Sequence, residues 1–116
     1  MKKIYHLRTC DTTQKILKDV EAKKNQAELQ DIKTEKITAK QLDEMKKLAG
    51  SYEALFSRRA LKYRSMGLNK KQLTEEDYRN LILEEYTFLK RPVAIVGNKI
   101  FIGNAKNVVE QLKKAL

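Results

Sequence analysis

The chain is predicted to be an α/β protein, and three observations carry that prediction. A short apolar run ends in a turn, leads into a helix, and is followed by a second β-type run, all within about 33 residues. The stretch from about 38 to 89 shows only helical periodicity. A proline-led pair of β runs around Gly97-Asn98 then precedes a last amphipathic helix. The order is β-α-β, a helical insert, then β-β-α.

Each element has a local reason. Lys3 to Leu7 alternates weakly and holds Ile4 and Tyr5, which makes it a strand candidate. Residues 12–24 place Ile16, Leu17 and Val20 at helical spacing, and Asn25-Gln26 interrupts them. Ala27 to Lys33 alternates with one slip and reads as an edge strand. Strand, helix and strand in so short a length imply that the two strands run parallel. Thr38 and Gln41 form a capping box ahead of Leu42, Met45 and Leu48, and Gly50 stops that helix.

Ser51 is expected to begin a further helix through Tyr63, with Gly67 ending the segment and Asn69 capping a short turn. Thr74 with Asp77 signals the next helix, which carries Tyr78, Leu81, Ile82, Tyr86 and Leu89. Pro92 leads Val93–Val96 into the Gly97-Asn98 turn and Lys99–Ile102, the strongest hairpin signal in the chain. Asn104 is expected to cap the last helix, with Val108, Val109, Leu112 and Leu116 facing inward. No repeat, low-complexity tract or linker divides the chain, so residues 1–116 are expected to form one domain.

Composition narrows the class. With 116 residues, 41% hydrophobic and 34% charged, the chain suits a globular protein, and no apolar run approaches the ~20 residues that span a membrane. Two lysines open the chain without an apolar block behind them, so no secretory signal is read there. One cysteine excludes an internal disulfide and points to a reducing cytoplasm. The net charge of +10 attracts anions of many kinds. The lysine pairs are spread along the chain like solvated helix faces, Trp is absent, and aromatics are 7% of residues, so nucleic-acid binding ranks last among the partners.

The chemistry centres on Cys10, between the end of the first strand and the start of the first helix. A thiolate there can be stabilised by free backbone N–H groups and the helix dipole. The N–H groups of Thr12, Thr13 and Gln14 are its candidate cradle, while Asp11 opposes a thiolate unless it turns to cap the helix. The competing reading is an inert, buried cysteine. His6, four residues earlier, could tune the thiol, although a histidine within a strand is more often structural. No second histidine or cysteine joins it, so no metal site is expected. Arg58, Arg59, Lys62 and Arg64 form a basic run, most simply an exposed helix face and otherwise a surface for an acidic partner. No glycine-rich phosphate loop or serine-nucleophile motif is present.

Three segments in this order carry a family resemblance. They are Cys10-Asp11-Thr12 after Ile4-Tyr5; Leu55-Phe56-Ser57-Arg58-Arg59 with Tyr63 and Gly67-Leu68; and Leu89-Lys90-Arg91-Pro92-Val93 leading into Gly97-Asn98-Lys99. The whole chain resembles the ArsC/Spx family: arsenate reductases, Spx regulators and YffB-like homologues. Cys-Asp-Thr is nearest the YffB-like branch, whereas Tyr5-His6 before the cysteine is nearer the arsenate reductases.

The resemblance implies a thioredoxin-like fold with a helical insert and Cys10 as nucleophile. It implies Arg91 and Arg59 as binders of an oxyanion, with Arg58 as the alternative to Arg59 and a possible tuner of the thiol, and Thr12 and Thr13 at the substrate. Pro92 is expected in cis; its other reading is an ordinary trans proline opening an edge strand. Ile102 stands where the family has a second hairpin arginine, and Thr13 stands where Spx redox switches have a second cysteine. The implied activity is reduction of an oxyanion or disulfide, with no bound cofactor, glutathione as co-substrate and a glutaredoxin- or thioredoxin-type donor. The alternative is a Spx-like regulator that binds RNA polymerase without turnover.

Overall fold

A computed structural model describes residues 1–116. Its chain divides into two compact units, Met1–Lys36 with Arg91–Leu116, and Ile37–Lys90. The first unit contains β1 (Lys2–His6), α1 (Asp11–Asp19), β2 (Glu28–Asp31), β3 (Val93–Val96), β4 (Lys99–Ile102) and α5 (Lys106–Ala115). The second contains α2 (Ala39–Ala49), α3 (Leu61–Ser65) and α4 (Glu75–Glu84), with 3₁₀ turns at Glu53–Leu55, Leu68–Lys70 and Tyr86–Phe88.

In the first unit the strands order β2-β1-β3-β4. β1 and β2 are parallel, with Ile4 opposite Leu29 and His6 opposite Asp31. The pairs β1–β3 and β3–β4 are antiparallel. Because side chains alternate across a strand, this register puts Ile4, Leu29, Ala94 and Phe101 on one face. There they pack with Ile16, Val20, Ala22, Val109 and Leu112 as one apolar cluster. Tyr5, Val93 and Ile95 are buried on the opposite face. α1 and α5 thus cover one side of the sheet, and β2 lies at an edge as its weak alternation predicts.

The second unit is organised around Phe56, whose ring centroid lies 5.0 Å from Phe88, 4.9 Å from Tyr78 and 5.9 Å from Tyr63. Both expected capping boxes form, Thr38 with Gln41 and Thr74 with Asp77, and Gly50 ends α2 at φ 96°. Asp43 on α2 accepts a two-pronged contact from Arg79 on α4, at 2.9 and 3.1 Å, and a hydrogen bond from Tyr52 at 2.6 Å. The Arg79 bonds, then that of Tyr52, hold the Asp43 carboxyl down at about 2.

Five expectations change, the first being the helix from Thr74, which ends at Glu84 and leaves Tyr86 in a 3₁₀ turn and Leu89 in extended backbone. The helix expected over 12–24 ends at Asp19, because Ala22 turns back into the core and the Asn25 amide donates to the carbonyls of Val20 and Glu21, at 3.1 and 3.0 Å. The helix expected over 51–63 breaks after one 3₁₀ turn. Phe56 is extended and bridges to Leu89, the Ser57 N–H donates to Phe88 O at 2.7 Å, and the Lys90 N–H donates to Leu55 O at 2.9 Å. The middle segment is therefore not a continuous run of helices: α-helices and 3₁₀ turns alternate with loops, and this bridge is its one β-type pairing. Gly67, not Asn69, precedes the short turn at 68–70, since the chain there needs a φ of 70°. Ala105, not Asn104, is the N-cap of α5, with no side-chain cap.

Ending α1 early puts Glu21 at φ 53°, a left-handed conformation that costs a side-chain-bearing residue roughly 1 kcal/mol. Its ion pair with Lys24 spans 3.9 Å between exposed groups and contributes little. Glu21→Gly is therefore expected to raise the thermal unfolding midpoint by a few degrees. An unchanged or lower midpoint would show that the turn carries no strain.

Candidate functional site

β1 delivers the chain to a tight turn from Leu7 to Cys10, closed by the Cys10 N–H donating to Leu7 O at 3.0 Å. Cys10 is the N-cap of α1, with extended backbone at φ −96° and ψ 107°. Its carbonyl accepts the first helical bond, from the Gln14 N–H at 3.0 Å. That bond occupies the Gln14 N–H and removes it from the expected cradle.

The thiol is half-buried. Burial by itself pushes its pKa up. The hydroxyl and N–H of Thr13, then the charge and hydrogen bond of Arg91, outweigh burial and bring the pKa below the usual thiol value. Thr13 is 1% exposed, and its buried hydroxyl has no hydrogen-bond partner. A buried hydroxyl without a partner favours the form of its neighbour that accepts best, and that is the thiolate.

Arg91 lies two residues ahead of β3, just before Pro92, and is half-buried. The Arg91–Pro92 peptide bond is cis, and Pro92 is buried. Cys10, Thr13 and Arg91 therefore meet within the first unit, from opposite ends of the sequence.

The other candidates have other surroundings. Thr12 is exposed in the first turn of α1, as is Asp11. His6 is engaged by Gln14, whose Nε2 lies 3.2 Å from His6 Nδ1. An amide nitrogen can only donate, so Nδ1 accepts and the ring proton sits on Nε2. Burial pushes the His6 pKa below its ordinary value, against the pull of Asp31, and keeps the ring neutral at neutral pH. Arg58 belongs to the second unit, where it donates to Glu53 at 2.7 Å and to the Tyr78 hydroxyl at 3.0 Å. Arg59 is exposed ahead of α3 in that unit. Ile102 ends β4 opposite Val93. No group of three or more His, Cys, Asp or Glu side chains comes together, and no helix is long and apolar enough to cross a membrane.

Sequence reasoning missed the side chain of Gln14. Besides contacting His6, its Nε2 donates to Leu7 O at 3.0 Å, so one amide ties the end of β1 to the first turn of α1. Only the spacing hints at it: a long amide four residues after the N-cap and eight after a histidine.

A βαβ–ββα sheet with one thiol at the N-cap of its first helix defines a thioredoxin-like protein with a single cysteine at that position. The ArsC family model matches residues 5–112, and the chain belongs to the ArsC family. Among solved structures it is similar to an arsenate reductase from Vibrio cholerae, at 16% identity and TM-score 0.80, over 99% of this chain and 97% of that one. A YffB protein matches at 21% identity and TM-score 0.78, over 97% and 98%. An arsenate reductase (ArsC) related protein from Brucella melitensis matches at 25% identity and TM-score 0.73, over 95% and 92%. No curated protein matches the chain.

Alkylation of Cys10 followed against pH is expected to show a midpoint below the ~8.5 of a free thiol. Thr13→Val is expected to move that midpoint up, because it removes the first group opposing burial. The lowered thiol pKa also adds stability that is full above the free-thiol value and is lost as pH falls through the folded one. Denaturation of the native chain and Cys10→Ser across that window measures it. A Thr13→Val midpoint equal to the native one would show that the hydroxyl does not act on the sulfur.

Proposed function

We propose that this chain is a thiol-dependent reductase of the arsenate reductase-like kind, with Cys10 as its nucleophile. One observation carries the reading: a half-buried N-cap thiol whose pKa is lowered by Thr13 and Arg91. Such a thiolate attacks the central atom of an oxyanion that Arg91 holds, and one oxygen leaves with protons as water. An external thiol, glutathione by family resemblance, then attacks the Cys10 sulfur. An S–S bond forms, and the electron pair of the broken bond stays with the central atom, which is reduced by two electrons. The resulting mixed disulfide needs an outside donor of glutaredoxin or thioredoxin type, since the chain has no second cysteine. The same thiolate can open a disulfide substrate by the same displacement. This chemistry suits a reducing cytoplasm.

The test is NADPH consumption with glutathione, glutaredoxin and arsenate. The native chain is expected to turn over, Cys10→Ser to lose activity, and Arg91→Ala to lose about a hundredfold, the scale of removing one preorganised anion donor. An Arg59→Ala variant reads the share of that arginine separately. Equal consumption by native chain and Cys10→Ser would sink the proposal.

One feature favours a second reading. Ile102 replaces a hairpin arginine implied by the family resemblance, leaving fewer guanidinium groups for a tetrahedral oxyanion. A regulator that binds RNA polymerase has no need of that clamp. Polymerase capture by the purified chain, with no turnover in the assay above, would decide for it.

A further inference from the structure

Within the second unit, residues 58–71 carry six cations and no acid. The same segment holds two of the three exposed large hydrophobic side chains of the whole chain, Leu61 at 90% exposure and Met66 at 46%. Arg64, Lys70 and Lys71 are exposed and enter no ion pair. Leu61 and Arg64 are three residues apart in α3, so they share a face.

The segment is held from its inner side. Tyr63 packs edge-on against Phe56 at 5.9 Å, and Lys62 reaches Glu85 at 3.2 Å. Backbone bonds from Met66 to Lys62 and from Gly67 to Arg64, both 2.9 Å, close the turn. Leu61 is thus displayed by an ordered turn, and a preordered surface loses less freedom on binding.

We propose that this face docks an acidic protein surface that offers an apolar pocket to Leu61. Charge complementarity selects the acidic partner, and the two aliphatic side chains select a protein over other polyanions. Nucleic acid would use the cations but has nothing for Leu61, and the segment's one aromatic, Tyr63, is turned inward rather than free to stack. A lipid surface needs a longer apolar face than a five-residue helix provides. Thr13 and Arg91, the groups that lower the Cys10 thiol pKa, lie outside this segment, and the substitutions that test the face leave Arg58 and Arg59 in place.

The test titrates the ¹⁵N-labelled full chain with a short helical peptide of glutamate, alanine and leucine. The comparators are its leucine-to-alanine version, a DNA duplex, and phosphatidylserine vesicles. The expected result is amide shifts confined to 58–71 and affinity that falls with salt. Leu61→Ser is expected to weaken binding about tenfold or more, matching lost burial of one leucine, with thermal unfolding and Cys10 alkylation unchanged. Arg64→Gln with Lys70→Gln is expected to weaken it further and flatten the salt dependence. Equal binding of the two peptides, indifference to Leu61→Ser, or tighter binding to duplex or vesicles would overturn the proposal.

Discussion

The Leu7 carbonyl accepts two hydrogen bonds at 3.0 Å, one from the Cys10 N–H and one from the Gln14 side chain. That single oxygen sets where the first helix begins. It ends β1, fixes the turn that carries the cysteine, and holds the first turn of α1 against the strand it left. Since Gln14 also reaches His6, and the His6 carbonyl takes the Ile32 N–H at 2.9 Å, the constraint extends to the edge of the sheet. A thiol on a mobile loop would keep an ordinary pKa. Here the turn places it near the buried, unpartnered hydroxyl of Thr13, which helps to lower its pKa.

Arg91 completes the arrangement from the far end of the sequence. β3 lies beside β1, with Val93 opposite Tyr5, so the residues just ahead of β3 arrive at the same sheet end as those just after β1. Antiparallel pairing of these two strands is the geometric reason a cysteine near the start and an arginine near the finish can act on each other. The site needs no dedicated loop beyond those the sheet already makes.

What could be read in the sequence was what nearby residues decide. Thr38 with Gln41, Thr74 with Asp77, and Gly97-Asn98 each specify a conformation within four residues, and each forms. The strand–turn–helix around Cys10 was legible for the same reason. The break at Phe56 was not, because Leu89 competes for that backbone from far along the chain and nothing in SYEALFSRRALKY announces it. The end of α1 escaped because Asn25 caps it from outside the helix. The role of Gln14 was hidden because glutamine is an ordinary helical residue, and its meaning depends on what the strand end presents to it. Arg91 could be singled out only through family resemblance, since no periodicity links it to Cys10.

In sequence the second unit interrupts the first, and this has a consequence for how the chain assembles. Joining β1 to β2 closes the 21 residues from 7 to 27, whereas joining β1 to β3 closes the 86 residues from 7 to 92. Closure entropy grows by about 0.6 kcal/mol for each doubling, so the second closure costs roughly 1.2 kcal/mol more in a flexible chain. Prior ordering of 37–90, which shortens the effective loop, removes part of that difference. The central strand pair thus closes across a region that contributes no strand to its sheet, so the closure that brings Cys10 and Arg91 together is the more costly one by loop length.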